Sequence, residues 1–357
     1  MMRSGRNFLC LAVVCSMVVL VGCSDNAPTA ESPPTSEPAP TGDLSPGQVA
    51  GVDVPDGRVD EAVGKLDGIA EELMAASNIP GMAIAVVHGS DVVYSKGFGV
   101  REVGTDDPVD GDSVFQVASL SKSVGATVIA SQVGAGVVDW STPVVSQLPW
   151  FALDDPWVTE NITVGDFYAH RSGLPEHAGD LLEDLGYDRR QVLERLREVP
   201  LDPFRSTYHY TNFGITAAAE AVAAASGKDW DTLGQDTIYG PLGMTSTSSS
   251  FADYIARADR AVPHVLVDGE YQAKYQREPD PQTPAGGVSS SVNDLAKWLT
   301  MMIADGNHDG RELVNPDASC PRSARRSSRA RRRHRTHAPA TTASGSTSPP
   351  VRPAARR

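Results

Sequence analysis

A chain of 357 residues is long enough for one large domain or two small ones, and 40% hydrophobic with 21% charged residues fits a soluble globular core. The formal net charge of −14 hides a split: residues 318–357 hold 11 Arg and no Asp or Glu, which leaves 20 basic against 45 acidic residues in the remainder. So acidic a body argues against nucleic acid as a partner.

The chain opens with Arg3 and Arg6, followed by an almost wholly apolar run from Leu9 to Gly22. That run is too short to span a bilayer comfortably and reads as a signal peptide. It ends Leu20-Val-Gly-Cys23, which resembles the bacterial lipoprotein lipobox; the resemblance implies cleavage before Cys23 and lipidation of that residue. Residues 1–23 are therefore expected to be a lipoprotein signal peptide, and the protein to sit at the extracytoplasmic face of the cell membrane on a lipid anchor. Residues 24–56 are rich in Pro, Ser, Thr and Ala and lack aromatics, so they read as a disordered spacer. The four cysteines are Cys10, Cys15, Cys23 and Cys320, so the intervening body has neither a disulfide nor a cysteine metal site.

The globular body is expected over 57–317. Val59, Val63, Leu66, Leu73 and Met74 recur at helical spacing and predict one amphipathic helix over about 58–77, stopped by Asn78 and Pro80. Residues 82–88 and 91–100 are β-rich and joined by Gly89-Ser90, a hairpin signal. After a Gly/Asp/Pro-rich loop to about 113 the chain reads as mostly helical. Helices are predicted from about Ser119 to Gln132, with Leu120, Val124 and Val128 as the buried stripe, from Ile215 to Ala225 with Gly227 as terminator, and from Asn293 to Ala304. The acidic run from Glu176 to Asp188 and the Glu/Arg-rich 189–198 read as solvated faces. The class is α+β. A lone hairpin is marginal in water, and no later segment supplies a convincing set of further strands.

Ser119 and Lys122 lie three apart near a helix start, so they share a face. A serine hydroxyl is a weak nucleophile. A partly desolvated lysine beside it can lose its proton and act as a base, and the helix N-terminus favours developing negative charge. Tyr210 and Asn212, in Tyr208-His-Tyr-Thr-Asn-Phe-Gly-Ile215, are two apart and can point into one cleft, Tyr210 to move protons and Asn212 to bond a substrate amide. No His-Glu-x-x-His or comparable spacing occurs, so neither a metal nor another cofactor is expected. His170 is expected to brace its turn. Trp140, Trp150, Trp157, Trp230 and Trp298 are expected in the core or the cleft wall.

Taken together, Phe115-Gln-Val-Ala-Ser-Leu-Ser-Lys122, Ala169-His-Arg-Ser-Gly-Leu-Pro175, Tyr210-x-Asn212, Pro241-Leu-Gly-Met244, and Thr283 to Ser291 followed by Asp294-Leu-Ala resemble the family of class C β-lactamases, D-alanyl-D-alanine peptidases and related esterases. The resemblance covers about 58–317. It implies a β-lactamase/penicillin-binding-protein-like fold, with a helical domain beside an antiparallel sheet, and an acyl-enzyme on Ser119 with Lys122 and Tyr210 moving the proton. The implied substrate is a small molecule or a peptidoglycan peptide: a β-lactam, a D-Ala-D-Ala peptide or an ester. The family's third motif, Lys-Thr/Ser-Gly or His-x-Gly on a strand, has no convincing match. His308-Asp309-Gly310 fits by letter but lies in a turn-rich segment expected to be a loop.

Residues 318–357 carry no aromatic and no Lys. Their Arg-only bias fits a shifted reading frame in a GC-rich gene better than a basic arm for anionic polymers or lipid headgroups. The fold is accordingly expected to lack its C-terminal strands. The alternative to a working hydrolase is an inactive pseudoenzyme or non-catalytic envelope lipoprotein.

Overall fold

The computed structural model describes residues 57–318. Cys23, the spacer and the tail beyond Ala318 lie outside the described residues.

The predicted first helix is two helices, α1 (Arg58–Val63) and α2 (Leu66–Ser77). The break falls at Gly64-Lys65, where glycine is the poorest non-proline helix former. Its apolar stripe is also less buried than the periodicity suggests: Ala70 is fully buried, whereas Ile69 and Leu73 are about half exposed. Asn78, in the left-handed conformation at φ 55°, ends α2 as expected.

The hairpin forms as predicted. β1 (Gly81–His88) and β2 (Asp91–Gly99) pair antiparallel, with a bulge that leaves Val93 unopposed between the pairs Val86–Tyr94 and Val87–Val92. Side chains alternate between the two faces of a strand. On one face Tyr94 and Lys96 reach Asp67 of α2, at 2.6 Å each. On the other, Ser95 donates to Asn293 at the start of the helix packed there.

Further along, β3 (Phe115–Gln116) leads through a 3-10 turn, Ala118–Leu120, into α3 (Ser121–Gly134). Val124 and Val128 are fully buried, but Leu120 is 39% exposed because it belongs to the turn and not to the helix. Short helices follow: α4 (Pro156–Asn161), α5 (Val164–Tyr168), α6 (Asp180–Asp184) and α7 (Arg189–Arg195). The alanine-rich α8 (Asn212–Ser226) runs through the centre of the helical body with ten residues buried, from Phe213 to Ala223. Small side chains let neighbouring helices approach it closely. It ends at Gly227, whose φ of 69° closes the helix with backbone bonds from Gly227 and Lys228 to Ala224 and Ala223.

Then come α9 (Trp230–Gly234), α10 (Phe251–Ala256), the small hairpin β4 (Val265–Val267) and β5 (Glu270–Gln272), α11 (Thr283–Gly286), β6 (Ser289–Ser290) and α12 (Val292–Ile303). α12 packs on β1 and β2. The segment expected to be a loop after α12 contains a two-residue ladder, β7 (Asn307–His308) with β8 (Arg311–Glu312), closed by Asp309-Gly310. Both of those residues have positive φ, as a tight hairpin requires.

The architecture is thus α+β, with a helical body beside antiparallel strands. The core lies in the helical body, built on Val124, Val128, Phe151, Phe167, Phe213, Trp230 and their neighbours. Of the five tryptophans, Trp140, Trp230 and Trp298 are buried, while Trp157 is 58% exposed. No strand among the described residues pairs with the second edge of β1.

Candidate active site

β3 and β6 set the nucleophile. They pair as Phe115–Ser290 and Gln116–Ser289, and Val117 N–H donates to Val288 O just beyond. The turn is then locked from behind: Ser121 Oγ donates to Ala118 O at 2.6 Å and accepts from Val288 N–H at 2.9 Å. Ala118 has a φ of 46°. A non-glycine residue held in the left-handed region costs about 1–2 kcal/mol, and here it turns the chain sharply before Ser119. α3 then approaches its neighbours closely at Gly125, where a Cβ would lie 3.1–3.3 Å from Tyr168, Trp230 and the Pro284 carbonyl. That fit seats α11 against the first turns of α3.

Ser119 is exposed at the mouth of a cleft of about 260 Å³, whose lining includes Gln116, His177, Asp180, Asn212 and Arg277. Its Oγ lies 2.5 Å from Tyr210 Oη and 3.1 Å from Lys122 Nζ. Lys122 Nζ is also 2.7 Å from Asn212 Oδ1 and 2.7 Å from the backbone carbonyl of Ala285 in α11. The structure therefore brings all four residues singled out in the sequence into one contact set. Cys23 lies outside the described residues, and His308 does not line this cleft.

The geometry fits either charge state of Lys122. An ammonium donates to all three oxygens. A neutral amine has two N–H groups and one lone pair: the carbonyls of Asn212 and Ala285 take the two donors, and the lone pair is left for the Ser119 hydroxyl. Burial pushes the Lys122 pKa down from the ordinary lysine value, while Tyr210 and Asp180 oppose that shift.

Tyr210 is held by aromatic neighbours. His170 stacks on its ring at 4.7 Å with 29° between planes, and His177 tilts against it at 5.6 Å. His170 Nδ1 accepts from Thr211 N–H at 3.2 Å, and burial followed by the charge of Lys122 lowers the His170 pKa, so the ring is neutral at pH 7. Besides bracing its turn, His170 forms one wall of the tyrosine slot.

Two features escape the sequence reading. The first is the Ala285 carbonyl, a backbone group that no side-chain motif reveals. The second is Asp180, which lies in the acidic run read as a solvated face. Its Oδ2 accepts from Asn212 Nδ2 at 2.9 Å and lies 2.8 Å from His177 Nδ1, with the side chain 22% exposed. Glu183, one turn later, is buried, with its Oε2 bonded to Arg277 and Gln282. The signal available was periodicity: Asp180 and Glu183 share a face three residues apart, and Leu181 and Leu185 on the far side are the exposed ones.

The family described as beta-lactamase matches residues 66–350. The chain belongs to the beta-lactamase family. It is 30% identical over 239 residues to the unguisins hydrolase ungD' of Aspergillus campestris, covering 63% of this chain and 44% of that protein. Penicillin-binding protein 4 of Amycolatopsis lactamdurans is 28% identical over 243 residues, which cover 66% of this chain and 62% of that one. The D-alanyl-D-alanine-carboxypeptidase/endopeptidase AmpH of Escherichia coli K12 is 26% identical, with 67% and 61% covered. Among solved structures, the octameric penicillin-binding protein homologue from Pyrococcus abyssi superposes with a TM-score of 0.61 at 25% identity, over 72% of this chain and 59% of that one. A class C beta lactamase from Rhodobacter sphaeroides shares the fold, with a TM-score of 0.58 at 23% identity over 71% and 68%. The chain thus spans between two-fifths and two-thirds of the curated relatives named here. The family is one of serine hydrolases, and the β-lactamase/penicillin-binding-protein-like fold expected from the motifs is the fold found.

Proposed function

We propose that this chain is an acyl-transferring serine hydrolase in which Ser119 attacks the carbonyl of a β-lactam, a D-Ala-D-Ala peptide or an ester. The observation that carries this reading is the three-way contact at the nucleophile, with Lys122 Nζ at 3.1 Å and Tyr210 Oη at 2.5 Å from Ser119 Oγ.

The chemistry follows from that contact. Lys122, as the amine, takes the Ser119 proton while Oγ bonds to the carbonyl carbon and the carbonyl electrons move to oxygen. The N-terminal end of α3 favours that oxyanion. As the oxyanion collapses, the C–N or C–O bond breaks and the leaving amine or alkoxide takes a proton through Tyr210 or Lys122. Water then adds to the acyl-enzyme, gives up its proton to the same pair, and releases the acid with Ser119 restored. The penicillin-binding and carboxypeptidase relatives support β-lactam and D-alanyl substrates, and the unguisins hydrolase supports a broader range of acyl compounds. The leader supports an extracytoplasmic location with a lipid anchor at Cys23.

A second reading, a non-catalytic relative, is favoured by the absence of a Lys-Ser/Thr-Gly sequence. Labelling with a fluorescent penicillin separates the two. A covalent adduct that disappears in Ser119→Ala supports the hydrolase. A folded protein that forms no adduct and cleaves neither a chromogenic cephalosporin nor an ester supports the second reading.

A further inference from the structure

Asn212 stands between a group that can only donate and a group that can only accept. The Lys122 ammonium has no acceptor, and the Asp180 carboxylate has no donor. Asn212 therefore has one satisfactory orientation, Oδ1 toward Lys122 at 2.7 Å and Nδ2 toward Asp180 at 2.9 Å. A flipped amide would set N–H groups against the lysine and oxygen against the carboxylate, two repulsive contacts in place of two hydrogen bonds.

That orientation matters to Ser119. With Oδ1 in place, the amide and the Ala285 carbonyl occupy both N–H groups of a neutral Lys122, and its lone pair is directed at Ser119 Oγ. With Nδ2 in place, the lone pair itself would be drawn to the amide and away from the serine. Asp180 is in turn fixed at the first turn of α6. His177 Nδ1 lies 2.8 Å from the same Oδ2, and His177 N–H donates to the Tyr210 carbonyl at 2.9 Å. The order His177, Asp180, Asn212, Lys122, Ser119 is thus a continuous polar chain that closes on the tyrosine loop.

We propose that Asp180 is a positioning residue for acyl transfer, holding the Asn212 amide so that Lys122 presents its lone pair to Ser119. This rests on the reading of Ser119 as nucleophile, so its test carries one arm that needs no acylation. The charged and titratable groups around Lys122 are Tyr210 from the loop before α8, Asp180 from α6 and His170 from the turn after α5, with His177 and Arg277 in the same cleft.

The first arm is acylation by fluorescent penicillin, resolved into apparent affinity and acylation rate constant. Asp180→Leu should lower the rate constant by ~10–100-fold, the scale of loss when a reacting group is misplaced by about an ångström, and change the affinity much less. Asp180→Leu combined with Asn212→Leu should be no slower than Asn212→Leu alone, because both remove the same constraint. Asp180→Asn, which keeps the shape, should fold even where Asp180→Leu does not, and should shift the acid limb of the rate profile to lower pH. Additive losses in the double variant, or a folded Asp180→Leu that acylates at the wild-type rate, would overturn the proposal.

The second arm is the titration of Lys122 followed by NMR of 13C-labelled lysine, with its signal assigned from Lys122→Arg. Asp180→Asn should lower the midpoint. An unchanged midpoint overturns the proposal whether or not the wild type forms an adduct, while a wild type without adduct but with the shifted midpoint rejects only the hydrolase reading.

Discussion

Lys122→Arg would keep a cation beside Ser119 and remove the base, because a guanidinium does not deprotonate in a protein. Acylation should fall by ~10²–10⁴, the usual contribution of a positioned general base, with the fold unchanged by circular dichroism. In the unsubstituted chain the rate should drop as pH falls through the lysine pKa, which burial sets below the ordinary lysine value. A rate independent of pH up to the ordinary lysine range would remove Lys122 from the base role. The pair was legible in the sequence because a three-residue spacing across a helix start fixes proximity locally, here from the 3-10 turn into the first turn of α3, and because Tyr210-x-Asn212 and the flanking signatures accompany it. Asp180 was not, because its partner Asn212 is 32 residues away and only the tertiary fold brings the two together. Asp231 is a different case, with no part in the cleft. Burial raises its pKa to about 6, helped by the negative charges of Asp280, Asp229 and Asp253 and opposed by Arg189, and Oδ1 has no hydrogen-bond partner. A raised carboxyl pKa gives stability that is complete below the unfolded value near 3.8 and is lost as pH rises through 6. Asp231→Asn should therefore stabilise the protein by roughly 1–3 kcal/mol at pH 8 and leave it nearly unchanged at pH 4, as read by urea melts at the two pH values.

Among the elements, α5 anchors the loop that delivers Tyr210. Thr163 and Asp166 form a reciprocal cap at its start, and Asp166 also receives two bonds from Arg205, at 2.9 and 2.7 Å. Burial by itself would raise the Asp166 pKa, but the hydrogen bonds from Arg205 and Thr163 outweigh it and bring the value below the usual aspartate range. A depressed carboxyl pKa gives stability that is present above the unfolded value and lost as pH falls through the folded one. Arg205→Met should thus cost about 1–2 kcal/mol at pH 7, discounted for the half-exposed guanidinium, and the deficit should close as pH drops from about 4. A deficit of equal size at pH 3 and pH 7 would show that packing, not the ion pair, is lost. Elements with a strong local signal were legible: α8 by its alanines and Gly227, and the first hairpin by Gly89-Ser90. The split between α1 and α2 hid behind a continuous apolar periodicity. β3 and β6 are two residues each, too short for any pattern, yet they place Ser119.

At the scale of the whole molecule, the two sides of the structure differ in how well they are covered. The helical body buries large side chains completely, whereas β1 is only half-buried along seven of its eight residues. Ile69 and Leu73 on α2, and Leu299, Met302 and Ile303 on α12, are exposed on the helices that flank the hairpin. The family resemblance anticipated this imbalance, since the fold places further strands beside the first hairpin and no described strand pairs with the second edge of β1. In an antiparallel pair only alternate residues of an edge strand direct their N–H groups to the neighbour, and the others face outward. Hydrogen exchange should therefore alternate along β1, with every second amide protected to nearly the stability of the hairpin and the intervening ones exchanging at close to unprotected rates. Uniform protection from Met82 to Val87 would mean that a strand outside residues 57–318, or from a second copy of the chain, occupies that edge. Dilution then tells the two apart, because protection supplied by a second copy falls with concentration and protection supplied by the same chain does not.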